Sequence, residues 1–374
     1  MKIKKLKLKK PVVKILKIVS IIFLVFLSVF LIFRFQIHQL MKLDYSYKAS
    51  KNILFKFKKD YIISVGSNQT LNAAFESKDY IEDNLDSYAK VKYQNHKHII
   101  KNINTLIEKG YSNNHISLIL AHGSDSDVLE FAKRDKIRYL EEFYSIDYAK
   151  LKYYDRYVAF SDTTGEDEET TVLYVNLGMD KDPYLEPVEV KDFSTVMLVN
   201  KYYHLGKDFE PNDLIKIDEK YTNGEEQSAN KEAVNAFISM YNAAKSEGLE
   251  LVINSSYRSY NDQQDLCNEY AKVYGNNYVQ KYVAKPGFSE HQTGLAFDIG
   301  STSINVFKKS NEYQWMLNNA YKYGFIQRFT KEKSYITGFN EEPWHYRYVG
   351  TKVAKYIYEN DITLEEYYAK FLDI

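Results

Sequence analysis

Two histidines and an aspartate near the C-terminal end of the chain form a set with metal-ligand chemistry. His291 and Asp298 lie in the run KPGFSEHQTGLAFDIG, Lys285 to Gly300, and His345 lies in EEPWHYRYVG, Glu341 to Gly350. Two imidazoles and one carboxylate suit a zinc ion, Zn2+, that takes three protein ligands and keeps a fourth position open for water. The metal brings the pKa of that water down to about 7, and a carboxylate beside it can take the proton during hydrolysis. Glu341 and Glu342 are the two candidates for this base. Of the eight histidines in the chain, only His291 and His345 fall after residue 204. Each stands beside a carboxylate and a glycine, as a ligand needs and a stray surface histidine does not.

A third segment, SSYRSYNDQ, Ser255 to Gln263, puts Arg258 at the end of a predicted strand, Leu249 to Asn254, and ahead of a helix that Ser259 or Asn261 can cap. A guanidinium in that position can bind a terminal carboxylate or stabilise the oxyanion of a tetrahedral intermediate. SEHQTGLAFD fits a Ser-x-His-x-x-Gly-x-Ala-x-Asp pattern and EPWH a Glu-x-x-His pattern. With the Arg258 segment, they resemble the D-alanyl-D-alanine carboxypeptidase family of zinc peptidases. That family includes vancomycin-resistance carboxypeptidases and dipeptidases and the L,D-carboxypeptidases of bacterial cell walls. The resemblance runs from near Val199 to the C-terminus. It implies His291, Asp298 and His345 as zinc ligands, Glu342 as catalytic base, and Arg258 as the residue that meets the substrate carboxylate or the oxyanion. It also implies Ser289 at the substrate, and one of Gln263 and Gln264 facing it, with Gln263 the candidate. Pro343 excludes a regular helix for the Glu-x-x-His pair, so the choice of Glu342 over Glu341 rests on the resemblance. The implied reaction is removal of the terminal D-alanine from peptidoglycan stem peptides, either pentapeptide or tetrapeptide. An endopeptidase, or an inactive wall-binding protein, is the alternative.

The elements that must position these residues are legible in the same half of the chain. Val234, Phe237, Ile238, Tyr241 and Ala244 recur at helical spacing after Asn230, and Gly248 closes that helix. Leu266, Tyr270 and Val273 predict the buried side of the helix after Arg258. Gly294 allows a tight course from His291 into a strand, Leu295 to Ile299, whose period of two sends Ala296 and Asp298 to one face. Ser310 can cap a helix from Asn311 to Tyr323 that Gly324 ends. Strands are predicted around Phe325 and over Tyr335 to Thr337. Val353, Ala354 and Ile357 mark a closing helix, and Thr363 with Glu366 makes a capping box for one more. Trp344 either packs behind the ligands or forms part of the cleft. The fold class is α+β, an antiparallel sheet flanked by helices.

Fifty basic and fifty acidic residues cancel, so no overall field marks nucleic acid as a partner. The distribution is uneven. Eight lysines fall within the first 17 residues, and the first acidic residue is Asp44. Between them, Ile18 to Phe33 is an uncharged run of 16 residues. As a helix it would span about 24 Å of a hydrocarbon core of roughly 30 Å. Counting from Val12 to Phe35, with Lys14, Lys17 and Arg34 snorkelling, makes it long enough. The lysines stay cytoplasmic, which places everything after residue 36 outside. A cleaved signal peptide is the alternative, but the flank FRFQIHQL offers no small-x-small cleavage site. The expectation is therefore a single-pass protein of the cell membrane with an extracytoplasmic catalytic domain. Its one cysteine, Cys267, permits neither an internal disulfide nor lipoprotein attachment and reads as a packing residue.

Three parts follow: residues 1–36 as basic tail and transmembrane anchor, 37–195 as a mostly helical stalk or accessory domain, and 196–374 as the catalytic domain. In the middle part Ile99, Ile100, Ile103, Leu106 and Ile107 share a helix face, and Ile116, Leu118 and Ile119 begin another after GYSNN. SDTTGEDEETT, Ser161 to Thr171, predicts an exposed loop, and YVNLGMD, Tyr174 to Asp180, a strand and turn. Asp86-Ser87-Tyr88 and Asp155-Arg156-Tyr157 sit in similar surroundings, too short a match to define a repeat.

Overall fold

The computed structural model describes residues 10–134, 137–302 and 306–372; the lysine-rich residues 1–9 lie outside these. The chain divides into two compact units, Met1–Asp155 and Arg156–Ile374. The second unit thus begins at Arg156, upstream of the 195/196 boundary expected from the sequence.

In the first unit a helix, Lys10–Met41, carries the apolar run, and its stretch Pro11–Met41 is long and apolar enough to cross a membrane. A signal sequence would meet the same description. Short helices follow, among them Ile99–Glu108, Asn113–Ala121 and Asp125–Phe131. Helices this short are marginal alone and form because an apolar face is buried. Ile99, Ile100, Ile103 and Leu106 make that face in the first, and Ile116, Ile119 and Leu120 in the second.

A repeated device appears along the chain. Gly66, Gly110 and Gly165 each have positive φ. Each is followed two residues later by a helix N-cap, Asn68, Ser112 or Asp167, whose side chain accepts a backbone N–H. The Asp-x-Tyr pieces share an environment too. Tyr88 donates to Asn104 Oδ1 at 2.6 Å, and Tyr157 to Asn176 Oδ1 at 2.5 Å.

Two expectations fail here for one reason. Of residues 161–171 only the exposed stretch 165–167 is a loop; the rest are the end of the helix Tyr154–Thr164 and the start of the helix Glu168–Asn176, which also absorbs the strand expected from Tyr174. An acidic run is what a helix N-terminus favours. Asp167 caps that helix by accepting the Thr170 N–H at 2.8 Å.

The second unit is built on one four-stranded antiparallel sheet: β1 (Leu251–Ser255), β2 (Ala296–Ser301), β3 (Phe325–Phe329) and β4 (Glu342–Tyr348), in the order β1-β2-β4-β3. The helix Lys231–Ser246, capped by Asn230, lays Val234, Phe237, Met240 and Ala244 on one face of it. Phe237 stacks on Phe297 of β2, with centroids 6.0 Å apart. The helices Asn311–Asn319, Thr351–Asn360 and Leu364–Phe371 complete the surround, the last with the expected Thr363–Glu366 capping box. The fold is α+β, with an antiparallel sheet flanked by helices.

Two local readings are corrected. Residues 334–337 form a turn of helix, Ser334–Thr337, closed by Gly338 in the left-handed conformation, where a strand was expected. The helix Tyr260–Tyr274 buries Gln263 and Cys267, leaving Tyr270 and Val273 exposed.

Candidate metal centre

The sheet brings Asp298 and His345 together by register, because they are directly opposite on β2 and β4. Residues so paired project from the same face. Their neighbours Phe297 and Tyr346, also paired, turn into the core on the other face. Ser255, at the end of β1, pairs with Asp298 past a register shift, and from there the chain leads to Arg258.

His291 arrives from a single 3-10 turn, Glu290–Thr293, that ends at Gly294 with φ +68°. The Gly294 carbonyl accepts the Asn230 N–H at 2.9 Å. A Cβ on Gly294 would lie 2.9 Å from Leu214 Cδ2 and 3.2 Å from Asn230 N, so both conformation and space call for glycine. His291 Nδ1 bonds the Ser256 carbonyl at 2.6 Å, which leaves Nε2 directed to Asp298 Oδ2 at 3.5 Å. A backbone partner of this kind fixes the tautomer and orientation of a ligating imidazole.

His345 presents the opposite nitrogen. Its Nδ1 is 3.4 Å from Asp298 Oδ1, and its Nε2 is 3.2 Å from Glu290 Oε2. One ligand atom from each of His291, Asp298 and His345 can be chosen so that all lie within 4.8 Å of one another, and the three could hold a metal ion. Asp298 Oδ1 is buried without a hydrogen-bond partner among the described residues. A buried carboxylate oxygen left over between two imidazoles is what a cation satisfies, so the donor set fits zinc.

Glu342 joins this group by an irregularity. Residues three apart on a regular strand point to opposite faces. Here the pairing passes from Gln327 with Tyr346 to Phe329 with Glu342, four steps along β4 against two along β3. The two extra residues on β4 break the alternation, and Glu342 Oε2 comes to 3.4 Å from His345 Nδ1. Glu341 instead lies outside, paired with Lys308 Nζ at 2.6 Å.

Charge is finely opposed in this site without a metal. Burial depresses His291. Burial would depress His345 as well, but the carboxylates of Asp298 and Glu290 beside it prevail and push it up to about 10. Burial works to raise Asp298, yet the two imidazoles hold it below the usual carboxylate range. Glu342 is raised, chiefly by burial and against the pull of His345.

Arg258 lines the same cleft, held as a fork. It donates through Nη1 to Gln263 Oε1 at 2.8 Å and through Nη2 to Ser255 Oγ at 3.0 Å. Gln263 in turn donates to the Ala284 carbonyl at 2.8 Å, so both ends of its amide are engaged by protein. Gln264 lies exposed and bonds Asn268. Ser289 is buried in the cleft wall, and Trp344, 43% exposed, belongs to the cleft rather than to packing behind the ligands.

Sequence reasoning missed the group behind His345. Glu290 Oε1 accepts from Arg328 Nε at 2.8 Å and Arg347 Nη1 at 3.0 Å. Arg328 makes a two-pronged pair with Glu365 at 2.8 and 2.6 Å, and Arg347 Nη2 donates to the Thr195 and Met197 carbonyls. Glu290, Arg328, Arg347 and Glu365 are all 3% exposed or less. The available signal was an arginine in each of the otherwise apolar strands FIQRF and HYRYV.

The family model of VanY D-alanyl-D-alanine carboxypeptidases matches residues 226–351. A bifunctional D-Ala-D-Ala dipeptidase and D-Ala-D-Ala carboxypeptidase of Enterococcus gallinarum, VanXYC, is 33% identical over 184 residues, covering 47% of this chain and 94% of the relative. The chain belongs to the VanY family. Another relative is the YodJ protein of Bacillus subtilis (strain 168), 46% identical over 181 residues, which are 46% of this chain and 66% of that protein. Among solved structures, that of the LdcB LD-carboxypeptidase is 42% identical with a TM-score of 0.47, covering 50% of this chain and 92% of that one. The VanY match lies wholly within the second unit.

Proposed function

We propose that this chain is a zinc-dependent carboxypeptidase that removes the terminal D-alanine from peptidoglycan stem peptides, held by its N-terminal helix in the cell membrane with the catalytic unit outside. The observation that carries this reading is the convergence of His291, Asp298 and His345 with Glu342, 3.4 Å from His345, in one cleft with Arg258. Family membership supports it, and so does the long apolar helix Pro11–Met41.

His291, Asp298 and His345 would hold the zinc ion, the first through Nε2 and the last through Nδ1. When bound, zinc supplies Lewis acidity that polarises the scissile carbonyl and acidifies a water near neutral pH. Glu342 takes the proton of the attacking water and delivers it to the leaving amine of D-alanine. Arg258 binds the terminal carboxylate or offsets the negative charge that grows on the carbonyl oxygen. Gln263 and Ser255 keep its fork aimed, and Ser289 bonds the substrate backbone.

The test uses full-length protein in detergent micelles with muramyl penta- and tetrapeptides, the products being read by mass. Loss of one alanine is expected, stopped by a chelator and restored by zinc. Loss from the pentapeptide marks a D,D-enzyme, and loss only from the tetrapeptide an L,D-enzyme. Glu342→Ala should lower turnover by about 10²–10⁴-fold. Full activity after chelation, or in His345→Ala, would sink this mechanism.

A further inference from the structure

Beside the metal centre runs a row of tyrosines that the reaction does not use. Tyr270 and Tyr274 are one turn apart near the end of the helix Tyr260–Tyr274, and Tyr278 and Tyr282 are one turn apart on the helix Asn276–Tyr282. Gly275, with φ +84°, passes the chain from one helix to the other. Successive ring centroids lie 5.7, 4.7 and 4.8 Å apart. All four rings are open to solvent, Tyr274 most of all at 59%. The helix Asn276–Tyr282 buries none of its residues, so core packing does not account for its tyrosines. Single exposed aromatics are ordinary, but a contiguous apolar row beside a cleft marks a binding surface.

The row is continuous with the candidate active site. Tyr270, Tyr278 and Tyr282 line the cleft that holds the metal ligands, and Tyr274 carries the surface beyond it. Tyrosine combines a flat apolar face with a polar rim. A pyranose ring has the matching form, C–H bonds on its faces and hydroxyls at its edge.

We propose that Tyr270, Tyr274, Tyr278 and Tyr282 form a stacking platform for the sugar rings of the glycan to which the stem peptide is attached. This rests on the carboxypeptidase reading for the identity of the substrate. With the peptide C-terminus at the metal ligands, the sugar end of the same substrate extends along the outer wall of the cleft.

Two measurements on full-length protein in detergent micelles test it. The first is binding of peptide-free N-acetylglucosaminyl-N-acetylmuramic acid strands to the metal-free protein, with no turnover involved. Wild type should bind them, and Tyr274→Ala/Tyr278→Ala should bind at least tenfold more weakly. The second is the ratio of kcat/KM for a disaccharide-linked stem peptide to that for the free peptide, which should fall toward one in the same variant. If the double variant unfolds, Tyr274→Ala alone gives the same reading, because its ring stands outside the cleft lining. Absence of glycan binding by wild type, or equal binding by a folded variant, overturns the proposal. A platform that grips a protein or lipid would give that result. Glycan binding with no peptide cleavage would instead retain the platform and refute the carboxypeptidase.

Discussion

Replacing Glu290 by glutamine changes one atom and should disturb both stability and metal binding. Glu290 accepts from three directions: Arg328 at 2.8 Å, Arg347 at 3.0 Å and His345 Nε2 at 3.2 Å. Glutamine has one acceptor oxygen and one donor amide. If its oxygen faces the arginines, its amide faces His345 Nε2, and the imidazole proton must move to Nδ1, the nitrogen proposed for zinc. If the amide faces the arginines instead, two guanidinium N–H groups meet donors. Either way the fully buried Arg328 and Arg347 are left with Glu365 as the carboxylate of the group. Breaking a buried ion pair from one side costs about 3–5 kcal/mol. For a unit of this size that lowers Tm by roughly 6–20 °C. Loss of a ligand's hydrogen-bonding partner should weaken zinc about 10–100-fold. Thermal unfolding of the metal-free protein measures the first effect, and competition with a chromophoric chelator the second. Glu365→Gln is the control: it should lose stability while zinc affinity changes by only about threefold or less, since it does not touch His345. A Glu290→Gln protein with unchanged Tm and wild-type zinc affinity would refute the reasoning.

Other substitutions probe separate links. Arg258→Lys loses the fork held by Gln263 and Ser255, and kcat/KM should fall about 10²–10³-fold with zinc affinity preserved; equal activity would remove Arg258 from the mechanism. Gln263→Ala frees that fork, and a smaller loss, about tenfold, should appear in the same assay; a loss as large as that of Arg258→Lys would mean that Gln263 meets substrate directly. Gly294→Ala forces a left-handed conformation against Leu214 and the Asn230 backbone, so chemical unfolding should show a loss of about 1–3 kcal/mol. No loss would show that the turn relaxes.

The candidate set of His291, Asp298 and His345 was legible because each member stands in a short local pattern, and the strand carrying Asp298 announced itself by its period of two. Caps were equally plain: Ser310 and Thr363 act as read, and of Ser259 and Asn261 it is Ser259 that caps. What local patterns could not show was register. Glu342 approaches His345 where the register of β4 shifts against β3, which depends on how the two strands pair. Glu290 was invisible for a similar reason, since its partners lie 38 and 57 residues downstream. The helix Tyr260–Tyr274 misled because apolar side chains at helical spacing usually mark the core, and here they flank a cleft. The acidic run at 161–171 misled because polarity was read as one exposed loop, whereas its aspartate caps a helix.

The group behind His345 also fixes a time order. Asn200 meets Glu365 across 165 residues, and Glu365 steadies the arginine that holds Glu290. Contacts so distant in sequence close late in folding, after the loop entropy between them has been overcome. The imidazole that Glu290 orients is therefore set only when the helix Leu364–Phe371 docks. A chain nicked before that helix should therefore lose the orientation of His345 while keeping every member of the candidate ligand set.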